Sequence, residues 1–277
     1  MKAAFLQFAP TYLAPDANRS FLDAQLRAVD ADLVVLPELC TSGYFFQSPA
    51  HLASVAESIP DGPTVALLRH HAERTGATFV AGLAEQDGEA FYNSAVVVPP
   101  SGEVTLYRKV HLFYQEKTLF EAGDLGFPVV PCATRNGVQY RLGVMICFDW
   151  YFPEAARTLA LKGADVIAHP ANLVLPHCPD AMPVRARENR VFTITANRYG
   201  TEHHDGEALT FIGTSEICDP TGDIMARGPE SGDALQVVSV DPTAARDKSI
   251  NPYNDVLADR QPGTYAQRPQ HPEPESR

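Results

Sequence analysis

Residues 141–170 constrain the fold more than any other part of this chain, because they predict a strand, a sharp turn, a helix and a second strand in succession. An apolar run at residues 142–146 is typical of a buried strand, and Cys147 follows it directly. Pro153 suits the first turn of a helix, and Gly163 suits the end of that helix. The pattern places a cysteine at the C-terminal edge of a sheet, where open α/β folds present their chemistry. We expect the nearby helix N-terminus to favour its thiolate.

The remaining apolar runs predict strands and helices that alternate early in the chain, with adjacent strands elsewhere. We predict strands at residues 3–8, 33–36, 78–83, 94–98, 104–107, 166–168, 193–196 and 235–240, and helices at residues 18–29, 64–75 and 181–191. Residues 210–218 and 224–225 flank an Asp-Pro-Thr-Gly turn and predict a hairpin. Adjacent strands do not suit a purely parallel doubly wound sheet, so we expect an α/β sandwich of two sheets with helices outside.

Composition narrows the possible partners and the compartment. The net charge of −12 argues against a general nucleic-acid binder, which needs a basic face, and against docking on anionic lipid. No stretch is apolar and long enough to span a bilayer. The five cysteines are scattered and form no CxxC pair, so they indicate neither a disulfide framework nor a zinc site, and we expect a cytoplasmic protein. We predict one domain at residues 1–260 and a polar, at least partly disordered tail at residues 261–277.

Three polar residues closely follow predicted strands, so each should lie at the C-terminal edge of a sheet: Glu38, Lys109 and Cys147. A thiol nucleophile needs a base, which a carboxylate can supply. An ammonium group would favour the thiolate and could stabilise an oxyanion, for which the backbone N–H of Phe148 is a second donor. Alone, a cysteine of this kind is usually a small buried hydrophobe, and a Glu or Lys is usually solvated. Their joint occurrence at strand ends indicates a site for thiol-dependent acyl transfer.

Three sequence blocks around these residues resemble the signature blocks of the nitrilase superfamily of carbon–nitrogen hydrolases. They are LVVLPEL (residues 33–39), YRKVHLF (residues 107–113) and GVMICFDWYFPEAARTLALKGADVIAHPAN (residues 143–172). The similarity extends to about residue 260 and is closest to the small bacterial and archaeal branch of amidase-like and aliphatic-nitrilase-like enzymes. It implies a four-layer α-β-β-α sandwich and a homodimer or higher homo-oligomer, with no metal and no organic cofactor.

The resemblance also implies the roles of individual residues. Glu38 matches the general base, Lys109 the residue that stabilises the tetrahedral intermediate, and Cys147 the nucleophile. A second glutamate of the family lies in FYQEKTLFEAGD (residues 113–124), where Glu116 has the better spacing and Glu121 is the rival. Its implied role is to position the substrate amide and to bind the lysine.

Further residues could line the pocket, although ordinary packing explains each aromatic one about as well. The candidates for substrate binding are Phe148, Asn172, Tyr44, Tyr114 and Trp150. We interpret Glu188 as half of a structural ion pair, and His169 as a buried, hydrogen-bonded residue. The run His203-His204-Asp205 has poor spacing for metal ligands, so we expect a solvated loop there.

The expected reaction is hydrolysis of a small amide to a carboxylate and ammonia through a thioester on Cys147. Phe148 and Asp149 follow the cysteine where dedicated nitrilases have Trp-Glu, which favours an amide over a nitrile. Trp150 and Tyr151 stand where the D-amino-acid carbamoylases of this superfamily place arginines that bind a carboxylate, so that substrate class is less favoured. An aliphatic nitrile and an N-carbamoyl compound remain alternative substrates. A non-catalytic binding protein and transfer of the acyl group to a soluble amine remain alternatives.

Overall fold

The structure is a computed structural model that describes residues 1–265. Its α-helices are α1 (Pro15–Leu26), α2 (Pro49–Ala53), α3 (Pro63–Thr75), α4 (Pro153–Leu161) and α5 (Cys178–Asn189). Its strands are β1 (Lys2–Gln7), β2 (Leu33–Val35), β3 (Thr78–Asp87), β4 (Ala90–Val98), β5 (Thr105–Arg108), β6 (Val129–Ala133), β7 (Gln139–Val144), β8 (Val166–Pro170), β9 (Phe192–Ala196), β10 (Tyr199–His204), β11 (Glu207–Ile212), β12 (Glu216–Cys218), β13 (Ile224–Arg227), β14 (Ala234–Ser239), β15 (Ser249–Asn251) and β16 (Asn254–Asp255).

Two six-stranded sheets form the body of the molecule. Their strand orders are β14-β1-β2-β3-β4-β5 and β13-β12-β9-β8-β7-β6. Each sheet has a parallel centre, made of β1, β2 and β3 in one and of β7, β8 and β9 in the other, and antiparallel strands at its edges. The parallel centres bring the carboxyl ends of β2 and β7 to corresponding edges of the two sheets, next to the segments that carry Glu38 and Cys147.

Alternation along β1 shows how the layers are stacked. Ala3 and Phe5 belong to a core that also contains residues of the second sheet, whereas Ala4 and Leu6 pack in a separate core with α1 and α3. Successive side chains of a strand point to opposite faces, so one face of the sheet meets the other sheet and the other face meets helices. Helices α4 and α5 cover the outer face of the second sheet. This is the predicted four-layer α-β-β-α sandwich, which is confirmed.

Two local predictions are wrong. Residues 210–218 do not form one strand, because Gly213 and Thr214 both have positive φ angles and separate β11 from β12. Strand β12 does pair with β13 across the predicted turn, but β11 pairs with β10 in a hairpin of its own. His203 and His204 lie at the end of β10 rather than in a loop, and Asp205 is in the exposed turn of that hairpin.

The C-terminal prediction can be compared with the structure only in part. Residues 261–265 are described and include a 3-10 turn at Pro262–Thr264. The rest of the predicted tail, residues 266–277, lies outside the described residues, and the division of the chain at residue 260 stays a prediction. Within residues 1–265, no helix has the length and apolar character that crossing a membrane requires.

Candidate active site

Three charged side chains meet at the C-terminal edge of the first sheet. Glu38 lies in the loop after β2, Lys109 directly follows β5, and Glu116 lies in a 3-10 helix at Tyr114–Thr118. Lys109 Nζ is 2.7 Å from Glu38 Oε1 and 2.8 Å from Glu116 Oε1. All three side chains are buried, so one ammonium group is shared by two carboxylates that solvent scarcely reaches.

A close backbone approach places Glu38. Gly82 on β3 donates its N–H to the carbonyl of Pro37 and accepts the N–H of Cys40, so β3 holds the loop on both sides of Glu38. A Cβ atom at position 82 would lie 2.4 Å from the Glu38 Cα. Only glycine allows this contact, because the backbone of the loop has no room to withdraw.

Burial and neighbouring charge set the protonation of this cluster. Burial raises the pKa of Glu38, and the Lys109 ammonium opposes that rise. Burial would lower the pKa of Lys109, but Glu116 and Glu38 outweigh it, so the pKa is raised and the group stays charged. Of these two groups, Glu38 is therefore the one that can gain and lose a proton, because Lys109 stays charged.

The two oxygens of Glu38 have different surroundings. Oε1 accepts from Lys109 and also from Asn93 Nδ2, at 2.7 Å. Oε2 is buried and has no hydrogen-bond partner within residues 1–265. The backbone carbonyl oxygen of Asn93 also accepts a hydrogen bond from the backbone N–H of Lys109, at 2.8 Å. Asn93 was not identified from the sequence, where the only signal is one amide side chain at the start of an apolar run on β4.

Cys147 begins a 3-10 helix at Cys147–Tyr151 and has a φ angle of 38°. Such an angle is uncommon for a residue with a side chain and marks a sharp turn of the backbone at this position. Burial and the charge of Glu38 raise the pKa of its thiol, and Lys109 lowers it by less. The expectation of a favoured thiolate is therefore not met, because burial and the charge of Glu38 outweigh the attraction of Lys109. A thiol whose pKa is raised becomes a thiolate only when a base takes its proton.

Asp149 holds this turn against the strand that leads to Lys109. Its carboxylate accepts from the Ile146 N–H at 2.8 Å, from the Tyr107 hydroxyl at 2.6 Å and from His111 Nδ1 at 2.7 Å. The side chain is completely buried. The sequence places Asp149 beside the cysteine, but Tyr107 and His111 come from a distant segment, so local patterns do not indicate this role.

A narrow cleft opens in front of the thiol. It is lined by Phe113, Cys147, Phe148, Trp150, Asn172, Leu173, Val174 and Leu175. The space open to the centre of a water-sized molecule is about 20 Å³, which is room for about one water. Asn172 is 3% exposed, and neither its Oδ1 nor its Nδ2 has a partner within residues 1–265. The cleft thus combines an apolar wall with one unsatisfied amide.

The other predicted lining residues lie in a neighbouring cavity around Glu116. Tyr44 and Tyr114 both line it, and the Tyr44 hydroxyl donates to Glu116 Oε1 at 2.6 Å. Tyr114 is 65% exposed and forms the rim. Glu121, the rival of Glu116, is exposed, and its backbone N–H donates to the carbonyl of Phe91.

The remaining sequence candidates lie outside this cluster. Glu188 pairs with Arg185 at 3.0 Å, and the same arginine donates to the carbonyl of Trp150 behind the cleft. His169 is buried and bonded on both ring nitrogens. In the described part of the chain, no group of three His, Cys, Asp or Glu side chains could hold a metal ion. This holds for the surroundings of His203 and His204 as well.

Comparisons with known proteins point to one family. A family model described as carbon-nitrogen hydrolase matches residues 2–248. A nitrilase of Pyrococcus abyssi is 47% identical over 96% of this chain and 99% of its own length. An N-carbamoylputrescine amidase of Arabidopsis thaliana is 30% identical, covering 87% of this chain and 85% of its own. The structure is similar to that of an amidase mutant of Nesterenkonia with acrylamide added at its active-site cysteine, with a TM-score of 0.74. The two chains are 28% identical, and the match covers 90% of this chain and 96% of the amidase.

Proposed function

The chain belongs to the carbon–nitrogen hydrolase family, and we propose that Glu38, Lys109, Glu116 and Cys147 carry out its reaction. The protein is a cysteine-dependent hydrolase of non-peptide C–N bonds. One observation supports the assignment of residues above all others: a buried ammonium bridges two buried carboxylates beside a buried thiol. Such a cluster costs desolvation energy that apolar packing would avoid, which is typical of a functional site.

Acylation begins with proton transfer from the Cys147 thiol to Oε2 of Glu38, the carboxylate oxygen without a partner. The thiolate attacks the amide carbon, a C–S bond forms, and the carbonyl electron pair moves to oxygen. Lys109 Nζ and the Phe148 N–H stabilise this oxyanion. The oxyanion then collapses, the C–N bond breaks, and Glu38 returns its proton to the leaving nitrogen. Ammonia departs, and a thioester remains on Cys147.

Deacylation uses the same groups with water as the nucleophile. Glu38 takes a proton from water, and the new oxygen–carbon bond forms a second oxyanion. Its collapse breaks the C–S bond, and Cys147 recovers its proton from Glu38. A buried carboxylate with a raised pKa suits both steps, because it must accept and donate within one cycle. Glu116 positions Lys109 and the substrate amide, and no metal or organic cofactor takes part.

The cleft favours a small, uncharged amide as the substrate. Apart from Cys147 and Asn172, its lining is aromatic or aliphatic, so it offers no ion pair to a carboxylate or an ammonium. Asn172 supplies one donor and one acceptor to a polar group of the substrate, while Trp150 and Phe148 wall the cleft. A small nitrile is the second candidate, favoured by the similarity to the Pyrococcus abyssi nitrilase. An N-carbamoyl compound with a charged end fits the lining less well.

Ammonia release from a panel of short aliphatic amides, nitriles, ω-amides and N-carbamoyl compounds tests this proposal. Release from neutral amides, absent with Cys147→Ala, is the expected result. Release from nitriles alone would replace the amide by a nitrile in the assignment. Hydroxylamine distinguishes hydrolysis from acyl transfer, because it intercepts the thioester as a hydroxamate. If no compound of the panel releases ammonia and Cys147 does not react with iodoacetamide, the remaining interpretation is a non-catalytic binding protein.

We also propose a homodimer or larger homo-oligomer in a reducing, cytoplasmic compartment. Large apolar side chains are exposed on α4 and α5 and beyond them along the chain: Leu161, Val184, Ile250 and Tyr253. We expect a second copy to cover these side chains, because removing apolar surface from water favours association. The five cysteines are all free and buried, which supports a reducing compartment. Light scattering on the purified protein measures the assembly, and a monomer at micromolar concentration would contradict it.

A further inference from the structure

His169 joins the nucleophile turn to the middle of the second sheet. Its Nε2 lies 2.9 Å from the carbonyl oxygen of Cys147, and its Nδ1 lies 3.0 Å from Thr195 Oγ1. His169 and Thr195 are register partners on the parallel strands β8 and β9. Both side chains are buried. The two hydrogen bonds therefore connect three adjacent strands, from β9 through β8 to the turn after β7.

The partners determine the state of the ring. A carbonyl oxygen can only accept, so Nε2 of His169 must carry the hydrogen. Burial lowers the pKa of His169 to about 4, so the ring is neutral near pH 7 and Nδ1 is an acceptor. Thr195 then donates its hydroxyl hydrogen to Nδ1. The chain of donors runs in one direction, from Thr195 to His169 to the carbonyl of Cys147.

Fixing this carbonyl fixes the N–H on the other side of the same peptide. The bond between Cys147 and Phe148 is planar and trans, so its C=O and N–H point in opposite directions. The carbonyl is bonded to His169, so the Phe148 N–H points away from that ring. No acceptor within residues 1–265 takes this N–H, and Phe148 lines the cleft. The N–H is thus held in a set direction and is free for a ligand.

We propose that His169 is a positioning residue that aims the Phe148 N–H at the oxyanion, and that Thr195 selects the ring tautomer required for this. The proposal rests on the function proposed above, in which that N–H stabilises the tetrahedral intermediate. His169 touches neither the substrate nor the reacting atoms. It acts on the carbonyl of Cys147, and its effect reaches the reaction through the rigidity of one peptide plane. Loss of one oxyanion donor typically slows a reaction about 10²-fold or more.

The experiment compares two reactions of the same thiol in His169→Leu. Amide hydrolysis forms an oxyanion, whereas alkylation of Cys147 by iodoacetamide does not. We expect kcat to fall about 10²-fold with little change in KM, while the alkylation rate stays within about threefold of the wild type. Parallel loss of both reactions would show a merely structural role for His169. Unchanged kcat would also overturn the proposal.

Three further variants, His169→Gln, Thr195→Val and Thr195→Ser, extend the test. His169→Gln retains a side-chain N–H and should recover part of kcat. Thr195→Val should lower kcat about tenfold while Thr195→Ser keeps it, so these milder changes decide the matter if His169→Leu does not fold. His71→Leu is the matched control, a buried histidine bonded to Asp23 far from the cleft, and it should leave kcat unchanged. Wild type and Cys147→Ala, assayed alongside, report on the proposed hydrolysis alone.

Discussion

Glu38 Oε1 lies 2.7 Å from Lys109 Nζ in an ion pair that solvent does not reach. A buried ion pair is weak evidence for stability, because the cost of removing two charges from water can exceed their attraction. Glu116 is a second buried carboxylate that pairs with the same ammonium group, so the desolvation cost of the cluster is larger still. We infer that the cluster is kept for its chemistry.

The Glu38→Gln substitution should stop turnover while making the thiol easier to ionise. The negative charge of Glu38 raises the pKa of the Cys147 thiol, so removing this charge should lower that pKa. The Lys109 ammonium, which also lowers the pKa, then faces one opposing carboxylate fewer. The amide side chain cannot exchange a proton, so kcat should fall about 10³-fold or more. Ultraviolet titration of the thiolate and ammonia release measure the two effects. A thiol pKa that rises, or a kcat within tenfold of the wild type, would contradict the assignment of Glu38 as the base.

The two glutamates of residues 113–124 provide a matched pair. Glu116→Gln weakens the contacts with Lys109 and Tyr44, so we expect kcat to fall about 10- to 100-fold. Glu121→Gln changes an exposed side chain of the same type and should leave the kinetics unchanged. Steady-state ammonia release from the best amide of the panel measures both. Equal losses in the two variants would mean that Glu116 has no special role.

Asn93 should set the pH at which the base becomes available. Its N–H donates to Glu38 Oε1 and lowers the pKa of that carboxyl. In Asn93→Ala this donor is lost, so the pKa of Glu38 rises and the acid limb of kcat/KM should move to higher pH. Asn189→Ala is a suitable control, since Asn189 is also buried but binds the Arg185 carbonyl instead. A limb that stays in place, or moves to lower pH, would refute the role of Asn93.

Sequence patterns located the catalytic candidates better than the residues that position them. Glu38, Lys109 and Cys147 each closely follow a predicted strand, and their joint occurrence within three family-like sequence blocks indicates a site at sheet edges. Asn93 and His169 lie inside strands, where a single polar residue has many explanations. Their partners depend on which strands are neighbours, and strand order is not encoded in local periodicity.

The wrong expectations have the same origin. A favoured thiolate at Cys147 is expected from the helix N-terminus and from an ammonium group, whereas burial and the carboxylates of two distant segments raise the pKa of the thiol. The strand at residues 210–218 was expected from its apolar pattern, but the left-handed backbone at Gly213 and Thr214 ends it. A long-range interaction at Cys147 and a backbone conformation at Gly213 and Thr214 thus override what the local sequence pattern indicates.

The Glu216 carboxyl offers a test of the electrostatics away from the cleft. Burial raises its pKa to about 7 despite two hydrogen bonds from Arg227, and Oε1 has no partner within residues 1–265. The folded state therefore holds a proton that the unfolded chain releases near pH 4.5, so this group makes the protein less stable as the pH rises from about 4.5 through about 7. Glu216→Gln removes the titration. Its free energy of unfolding relative to the wild type should increase by at most about 3 kcal/mol between pH 4 and pH 8. Urea denaturation at the two pH values measures this, with the exposed Glu89→Gln as a control that should leave the pH dependence as it is in the wild type. A relative stability that is constant or falls over this range would show that the pKa of Glu216 is not raised in the folded protein.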